Sequence, residues 1–290
     1  TGKNNWRMNQ LEKPITSWFK KNKRDLPWRK TTPWGVMVSE YMLQQTPVNR
    51  VLPKWHEWME RWPTPKHLAS ATPAQVITAW GRLGYPRRAL RLHAAAQIIA
   101  EDFNNQVPED QETLQLLPGI GEYTAAAIAA FAFEQRSLVM DVNIRRLLVR
   151  AIDGQEHPKP APTAQEKARR LAILPTKNAH VWAAATMELG ALVCTSKNPS
   201  CELCPIIGQC NWRKNGYPRT ELVRKSQDWQ GTDRKCRGTI VQALRENESL
   251  TESAIKKLWP DESQVEKALK TLLEDQLIQA LPRRRYRLPQ

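Results

Sequence analysis

Two carboxylates stand out in this 290-residue chain. Glu40 lies in "VMVSEYMLQQ", amid Val36, Met37, Val38, Tyr41, Met42 and Leu43. A glutamate in apolar surroundings is expected to have a raised pKa and to carry a proton at neutral pH. Asp141, in "VMDVNIRR", follows an apolar run and precedes a helix that Arg145 and Arg146 share. An aspartate there caps the helix and stays ionised, because the dipole and the free N–H groups favour the carboxylate; capping alone would also account for it. One carboxyl pushed up and another held down is the pattern of a proton donor plus a charge stabiliser. It suits departure of a leaving group from a sugar carbon through a cation-like transition state.

A second constellation is "CTSKNPSCELCPIIGQC", which places Cys194, Cys201, Cys204 and Cys210 as C-x6-C-x2-C-x5-C. Such a set fits tetrahedral zinc or a [4Fe–4S] cluster. Zinc modules usually show two CxxC pairs and this segment has one, so the uneven spacing favours iron–sulfur, with zinc left open. The fifth cysteine, Cys236, lies apart and reads as a packing residue. Lys197 sits between two of the ligands, where a loop pinned at both ends can hold it against a phosphate; a solvated lysine fits equally well.

A third is "LLPGIGEYTAAAIAAFAF", Leu116 to Phe133. Gly119 and Gly121 allow positive φ and close approach of a partner's backbone. The N–H groups at the following helix start attract anions, which in a basic protein makes a seat for one DNA phosphate. The alanines from 125 to 132 predict a closely packed neighbouring helix.

These groups must be positioned by helices. The first 200 residues read as helices separated by Pro and Gly, with prolines stopping the chain at "LPWR" and "TPWG". After Cys210 a polar, basic stretch reads as a linker, and the tail predicts three helices and a basic β-ribbon, the order of a winged helix; a plain helical cap is the alternative. The predicted class is therefore all-α with a small C-terminal winged-helix-like domain. The net charge of +15 (44 basic, 29 acidic) with pI near 9.8 favours a polyanion partner, nucleic acid rather than membrane. Twelve tryptophans, several beside basic residues, read mainly as core. No apolar run is long enough to span a membrane and no signal-peptide core is evident, so a soluble, cytoplasmic, nucleoid-associated protein is expected.

Taken together, "LPGIG", Asp141 twenty residues on, and the terminal Cys₄ loop resemble the helix-hairpin-helix DNA glycosylases of the endonuclease III superfamily. The likeness covers about residues 8–215. It implies a two-lobed glycosylase domain over 1–215: a six-helix lobe at about 30–137 with the hairpin at 117–121, and an iron–sulfur lobe from 1–29 plus 138–215. A linker at 216–232 and the winged-helix-like domain at 233–290 would follow. The resemblance implies a [4Fe–4S] cluster on the four cysteines, a monovalent cation at the hairpin, and a monomer acting on double-stranded DNA. Bifunctional members carry a lysine where this chain has Tyr123, and a phenol cannot form their Schiff base, so a monofunctional enzyme is expected.

"SEYMLQQT" is similar to the adenine (MutY-type) branch, which removes adenine mispaired with 8-oxoguanine. By that resemblance Glu40 protonates the adenine ring and later handles the water, and Asp141 stabilises the sugar cation with support from Tyr123 and Asn143. Gln44 and Gln45 contact the surroundings of the flipped base and the opposite guanine. Leu43 and Tyr85 wedge into the duplex, and Leu26, Trp28, Arg29 and Glu188 line the adenine pocket. A base must leave the stack before it is cut, and an apolar wedge fills the gap. The chain departs from the branch in having a short tail in place of a Nudix-like domain, valine in "DVN", and "YP" after the wedge. A thymine glycosylase acting on G·T mismatches, which also has the tyrosine, and a non-catalytic iron–sulfur DNA-binding protein are the alternatives; "LQQT" argues against the first, and the pair Glu40 and Asp141 against the second.

Overall fold

The computed structural model describes residues 2–220 and 231–290, with side chains from residue 10 onward. Helices follow one another as α1 (Gly2–Asn22), α2 (Pro33–Leu43), α3 (Val48–Arg61), α4 (Pro65–Ala69), α5 (Pro73–Trp80) and α6 (Arg87–Asp102). Next come α7 (Gln111–Leu116), α8 (Glu122–Phe133), α9 (Val142–Leu148), α10 (Ala164–Ala172), α11 (Ala179–Leu192) and α12 (Asn211–Lys214). The tail contributes α13 (Asp233–Glu246), β1 (Leu250–Thr251), α14 (Glu252–Lys256), α15 (Glu262–Glu274), β2 (Gln279–Leu281) and β3 (Arg285–Arg287). The strands pair antiparallel in the order β1-β3-β2. The fold is thus all-α up to the tail. "TPWG" is not a stop: Pro33 opens α2, where its missing N–H costs no hydrogen bond. Residues 221–230 of the expected linker lie outside the described residues. Among the described residues no helix is long and apolar enough to cross a membrane.

The described residues form two compact units. The first falls within Thr1–Val36, Glu109–Leu116 and Ile120–Val223. Its core joins Leu11, Ile15 and Phe19 of α1, at helical spacing, to Ile144, Leu147 and Leu148 of α9 and to Trp182 and Leu189 of α11. Ala127 and Ala130 of α8 lie in the same core. Their small side chains let α8 lie close to α11, the neighbour the alanine run predicts.

The second unit falls within Met37–Pro108, Leu117–Gly119 and Arg224–Gln290. Trp58, 1% exposed, meets Trp62 and Trp80 edge-on at ring-centroid distances of 4.8 and 5.4 Å. These tryptophans are core, in the geometry that aromatic quadrupoles prefer. The tail has its own apolar cluster, including the fully buried Cys236, Ile240 and Leu272. Ile77 of α5 belongs to that cluster too, so within the second unit the tail packs on α5.

Candidate active site

In the first unit, Asp141 is the N-cap of α9. Its Oδ1 accepts from the backbone N–H groups of Asn143 (2.6 Å) and Ile144 (3.3 Å). Asn143 therefore supports Asp141 through its main chain, while its side-chain oxygen accepts from Arg146 at 2.8 Å. Arg146 also donates to the carbonyls of Gly190 (2.6 Å) and Cys194 (2.7 Å). The start of α9 and the end of α11 touch so closely that a Cβ on Gly190 would lie 2.5 Å from the Asn143 carbonyl oxygen. Only glycine fits there, because the obstacle is backbone. Arg145 makes a two-pronged ion pair with the buried Glu166, at 2.9 and 2.8 Å. The neighbouring arginines thus fix the helix that presents Asp141.

A turn further on, Val149–Asp153 continues α9 as a π segment. Its Arg150 is 1% exposed and lies over Trp212, 4.5 Å from the ring centroid. Arg150 donates to the Cys194 sulfur at 3.5 Å and to the Thr195 carbonyl at 2.7 Å. The four cysteines and Arg150 line one small cavity. Burial pushes the Cys194 thiol up, and it raises Cys204 to about 12, with the neighbouring thiols adding. Thiols so placed stay neutral until a cation compensates them. Among the described residues no three Cys, His, Asp or Glu side chains group as a single metal ion would need. Lys197 is exposed on the loop between the first two cysteines.

Leu26, Trp28 and Glu188 are buried, and Arg29 is half-buried. The structure brings Arg29 and Glu188 together, Nη2 to Oε2 at 2.9 Å. Glu188 also accepts from Arg24 three times: backbone N at 2.8 Å, Nε at 3.0 Å and Nη2 at 2.7 Å. Burial, the largest influence on Glu188, raises its pKa, yet Arg24 and Arg29 hold it below the ordinary carboxylate value. Arg24 is not marked by the sequence, where it is one basic residue among "KKNKR".

In the second unit, Glu40 is 7% exposed, between the fully buried Ser39 and Tyr41. Leu43 ends α2, and Gln45 turns the chain with φ of +57°. Gln44 is half-buried and Gln45 exposed. The group that joins these residues to the Tyr85 turn is Arg88, 6% exposed. Its Nη1 donates to the carbonyls of Tyr41 (3.0 Å), Met42 (3.2 Å) and Gln44. Its Nη2 donates to Thr46 Oγ1 (3.0 Å) and to the carbonyls of Leu83 (3.4 Å) and Gly84 (3.0 Å). One guanidinium satisfies both the frayed end of α2 and the turn before Tyr85, which is 40% exposed with φ of +49°. In sequence "PRRAL" does not tell its buried arginine from its exposed one.

The two hairpin glycines differ. Gly119 has φ of +86°, and a Cβ on it would lie 3.0 Å from both Arg91 Cβ and Tyr41 Cε1. The Tyr41 hydroxyl donates to the Pro118 carbonyl beside it. Gly121, the N-cap of α8, has φ of −96° and no atom within 4 Å of a Cβ. Its backbone does not demand glycine, and positive φ, expected of both, belongs to Gly119. Tyr123 is half-buried in the first turn of α8, against the core of the first unit.

A family model described as HhH-GPD superfamily base excision DNA repair protein matches residues 38–172, which include Glu40, Tyr85, the hairpin and Asp141. An adenine DNA glycosylase of Mycobacterium tuberculosis (strain ATCC 25618 / H37Rv) is 45% identical over 281 residues, covering 95% of this chain and 92% of its own. One from Mycolicibacterium smegmatis is 44% identical over 278 residues, 94% of each chain. The human adenine DNA glycosylase is 40% identical over 212 residues, 69% of this chain and 39% of its own. Among solved structures, a thermostable thymine-DNA glycosylase superposes with a TM-score of 0.66 at 20% identity, over 73% of this chain and 98% of its own. Endonuclease III in a non-covalent DNA complex gives 0.64 at 17%, over 74% and 99%. At those identities the solved structures show the fold alone. The extent of the mycobacterial matches shows more: this chain belongs to the adenine DNA glycosylases of the helix-hairpin-helix base excision superfamily.

Proposed function

We propose that the protein is a monofunctional glycosylase that hydrolyses the N-glycosidic bond of adenine mispaired with 8-oxoguanine or guanine in duplex DNA. The observation that carries this reading is Asp141, a carboxylate fixed by two backbone N–H groups at the start of a helix that Arg145 and Arg146 lock in place. Glu40 delivers a proton to an adenine ring nitrogen, and the electron pair of the breaking C1′–N bond leaves with the base. Asp141 stabilises the cation left on the sugar. Water then adds to C1′ and gives its proton to Glu40, so the products are free adenine and an abasic site. The buried position of Glu40 supports its role in proton transfer, since bulk water does not compete there. Tyr123 supports the absence of a lyase step, because no amine stands at that position to attack the sugar.

Leu43 and Tyr85 enter the duplex, Gln44 and Gln45 read the bases beside them, and Leu26, Trp28, Arg29 and Glu188 line the pocket for the extruded adenine. Gly119, Gly121 and Lys197 hold phosphates. Cys194, Cys201, Cys204 and Cys210 hold a [4Fe–4S] cluster, which ties the loop carrying Lys197 to α11. The cavity shared by the four thiols and Arg150 supports that assignment. The test is an excision panel: duplexes containing A·8-oxoG, A·G or T·G, incubated with the protein and then treated with alkali. Alkali-labile sites at adenine in the first two are expected. Cleavage only at T·G would favour a thymine glycosylase, and no labile site in any duplex would sink the enzyme reading.

A further inference from the structure

The tail reaches the turn that presents Tyr85. Arg234, in the first turn of α13, lays its guanidinium over the Tyr85 ring, 4.1 Å from the centroid. A Cβ on Gly84 would lie 3.8 Å from Arg234 Nη2, so the same side chain also reaches the backbone of the turn. Three contacts dock the tail there. Arg245 donates to the Ile77 carbonyl at 3.1 Å, Ile77 joins the tail's apolar core, and Asp275 pairs both with Arg87 of α6 (3.1 Å) and with Arg237 of α13.

The surroundings are strongly cationic. Arg50 donates to the Arg82 carbonyl, and Arg88 flanks the Tyr85 ring at 5.5 Å. Burial lowers the pKa of Arg88, and repulsion from Arg234 and Arg50 lowers it further; Arg82 acts on Arg245 in the same way. Arg88 is buried and serves the turn itself, but the exposed Arg50, Arg82 and Arg234 beside an exposed aromatic ring match how proteins hold nucleic acid, with the ring for a base and the cations for the backbone. A ring inserted between base pairs gives up its faces to the bases. Arg234 must then leave the ring, and its exposed side chain is beside the strand that Tyr85 enters.

We propose that the C-terminal segment is a DNA-contacting part of the enzyme, with Arg234 taking a duplex phosphate next to the step that Tyr85 enters. This rests on the reading of Tyr85 as the wedge. The test uses the full chain, a short fluorescent duplex without a lesion, and anisotropy across a sodium chloride series. Losing one phosphate contact flattens the slope of log K against log salt by about 0.9. Arg234→Ala is expected to show that flattening, Arg234→Lys to restore the slope, and Lys270→Ala, an exposed lysine on α15, to leave it unchanged. A wild-type slope in Arg234→Ala would overturn the proposal, as would equal flattening in Lys270→Ala. Wild-type excision run alongside separates the two readings. Normal excision with an unchanged Arg234→Ala slope sinks only the phosphate contact, whereas flattening in a chain that excises nothing sinks only the enzymatic role.

Discussion

Replacing Arg88 by methionine keeps most of the buried stem and removes every donor. The two terminal nitrogens carry four N–H bonds among them, offered to the oxygens of Tyr41, Met42, Gln44, Thr46, Leu83 and Gly84. Five of these acceptors are backbone carbonyls, which no substitution can take away. Exchanging a whole buried ion pair for apolar groups can be neutral, because both partners go; here one partner goes and the acceptors stay buried. Leaving a buried acceptor unpaired costs about 1–3 kcal/mol, so stranding several at once costs roughly 6–8 kcal/mol before relief. Part is recovered, since burial depresses the guanidinium to about 10 and methionine carries no such penalty, leaving roughly 3–5 kcal/mol net. At about 2–4 °C per kcal/mol for a chain of this size, melting is expected to fall by roughly 6–20 °C. The turn presenting Tyr85 and the end of α2 would also lose their common anchor. Single-turnover adenine release is therefore expected to fall by about ten-fold or more, corresponding to at least ~1.4 kcal/mol of barrier. Calorimetry and a quench series measure both. A variant melting within 2 °C of the parent (about 1 kcal/mol or less), with unchanged excision, would refute the argument.

Further substitutions probe other parts of the frame. Glu188→Gln should destabilise by about 2–3 kcal/mol, less than a fully buried pair would, because Arg24 is 35% exposed. The depressed pKa of Glu188 means that its contribution is complete above the ordinary value of 4.5 and is lost as pH falls through the folded value. The stability gap between parent and Glu188→Gln in urea melts should therefore close in acid below that value and stay open at neutral pH. Gly119→Ala combines positive φ with a Cβ 3.0 Å from Arg91 and Tyr41, and should cost about 2–4 kcal/mol. Gly121→Ala, with open space and negative φ, should stay within about 0.5 kcal/mol; equal melting shifts would contradict this contrast. Tyr123→Lys places an amine in the first turn of α8, and borohydride should then trap a covalent DNA adduct; no adduct would show that this position alone does not decide lyase chemistry.

Much of the frame was legible because periodicity and caps are local. The division of the first 200 residues into helices held, and the apolar run before Asp141 predicted its place as an N-cap. The cysteine spacing singled out four thiols that line one cavity. What the sequence did not mark is the buried arginines. Arg88, Arg145, Arg146 and Arg150 read as part of a basic, DNA-seeking charge, yet each is at most 6% exposed and clamps backbone or a carboxylate inside the protein. Whether an arginine faces a phosphate or a row of carbonyls depends on which chain segments meet, and these partners lie up to 48 residues away. Gly190 was silent for the same reason: its need for glycine comes from the Asn143 backbone on another helix. Nor did the tail's apolar pattern indicate that it docks on α5 and reaches Tyr85.

The most direct test is to measure free adenine itself. The protein is incubated with an A·8-oxoG duplex, small molecules are separated by chromatography, and the DNA is run on a denaturing gel before alkali. Free adenine and an intact strand are expected with the parent chain. With Asp141→Asn no adenine but persistent duplex binding is expected. Adenine release by Asp141→Asn, or a strand already broken before alkali in the parent, would contradict this.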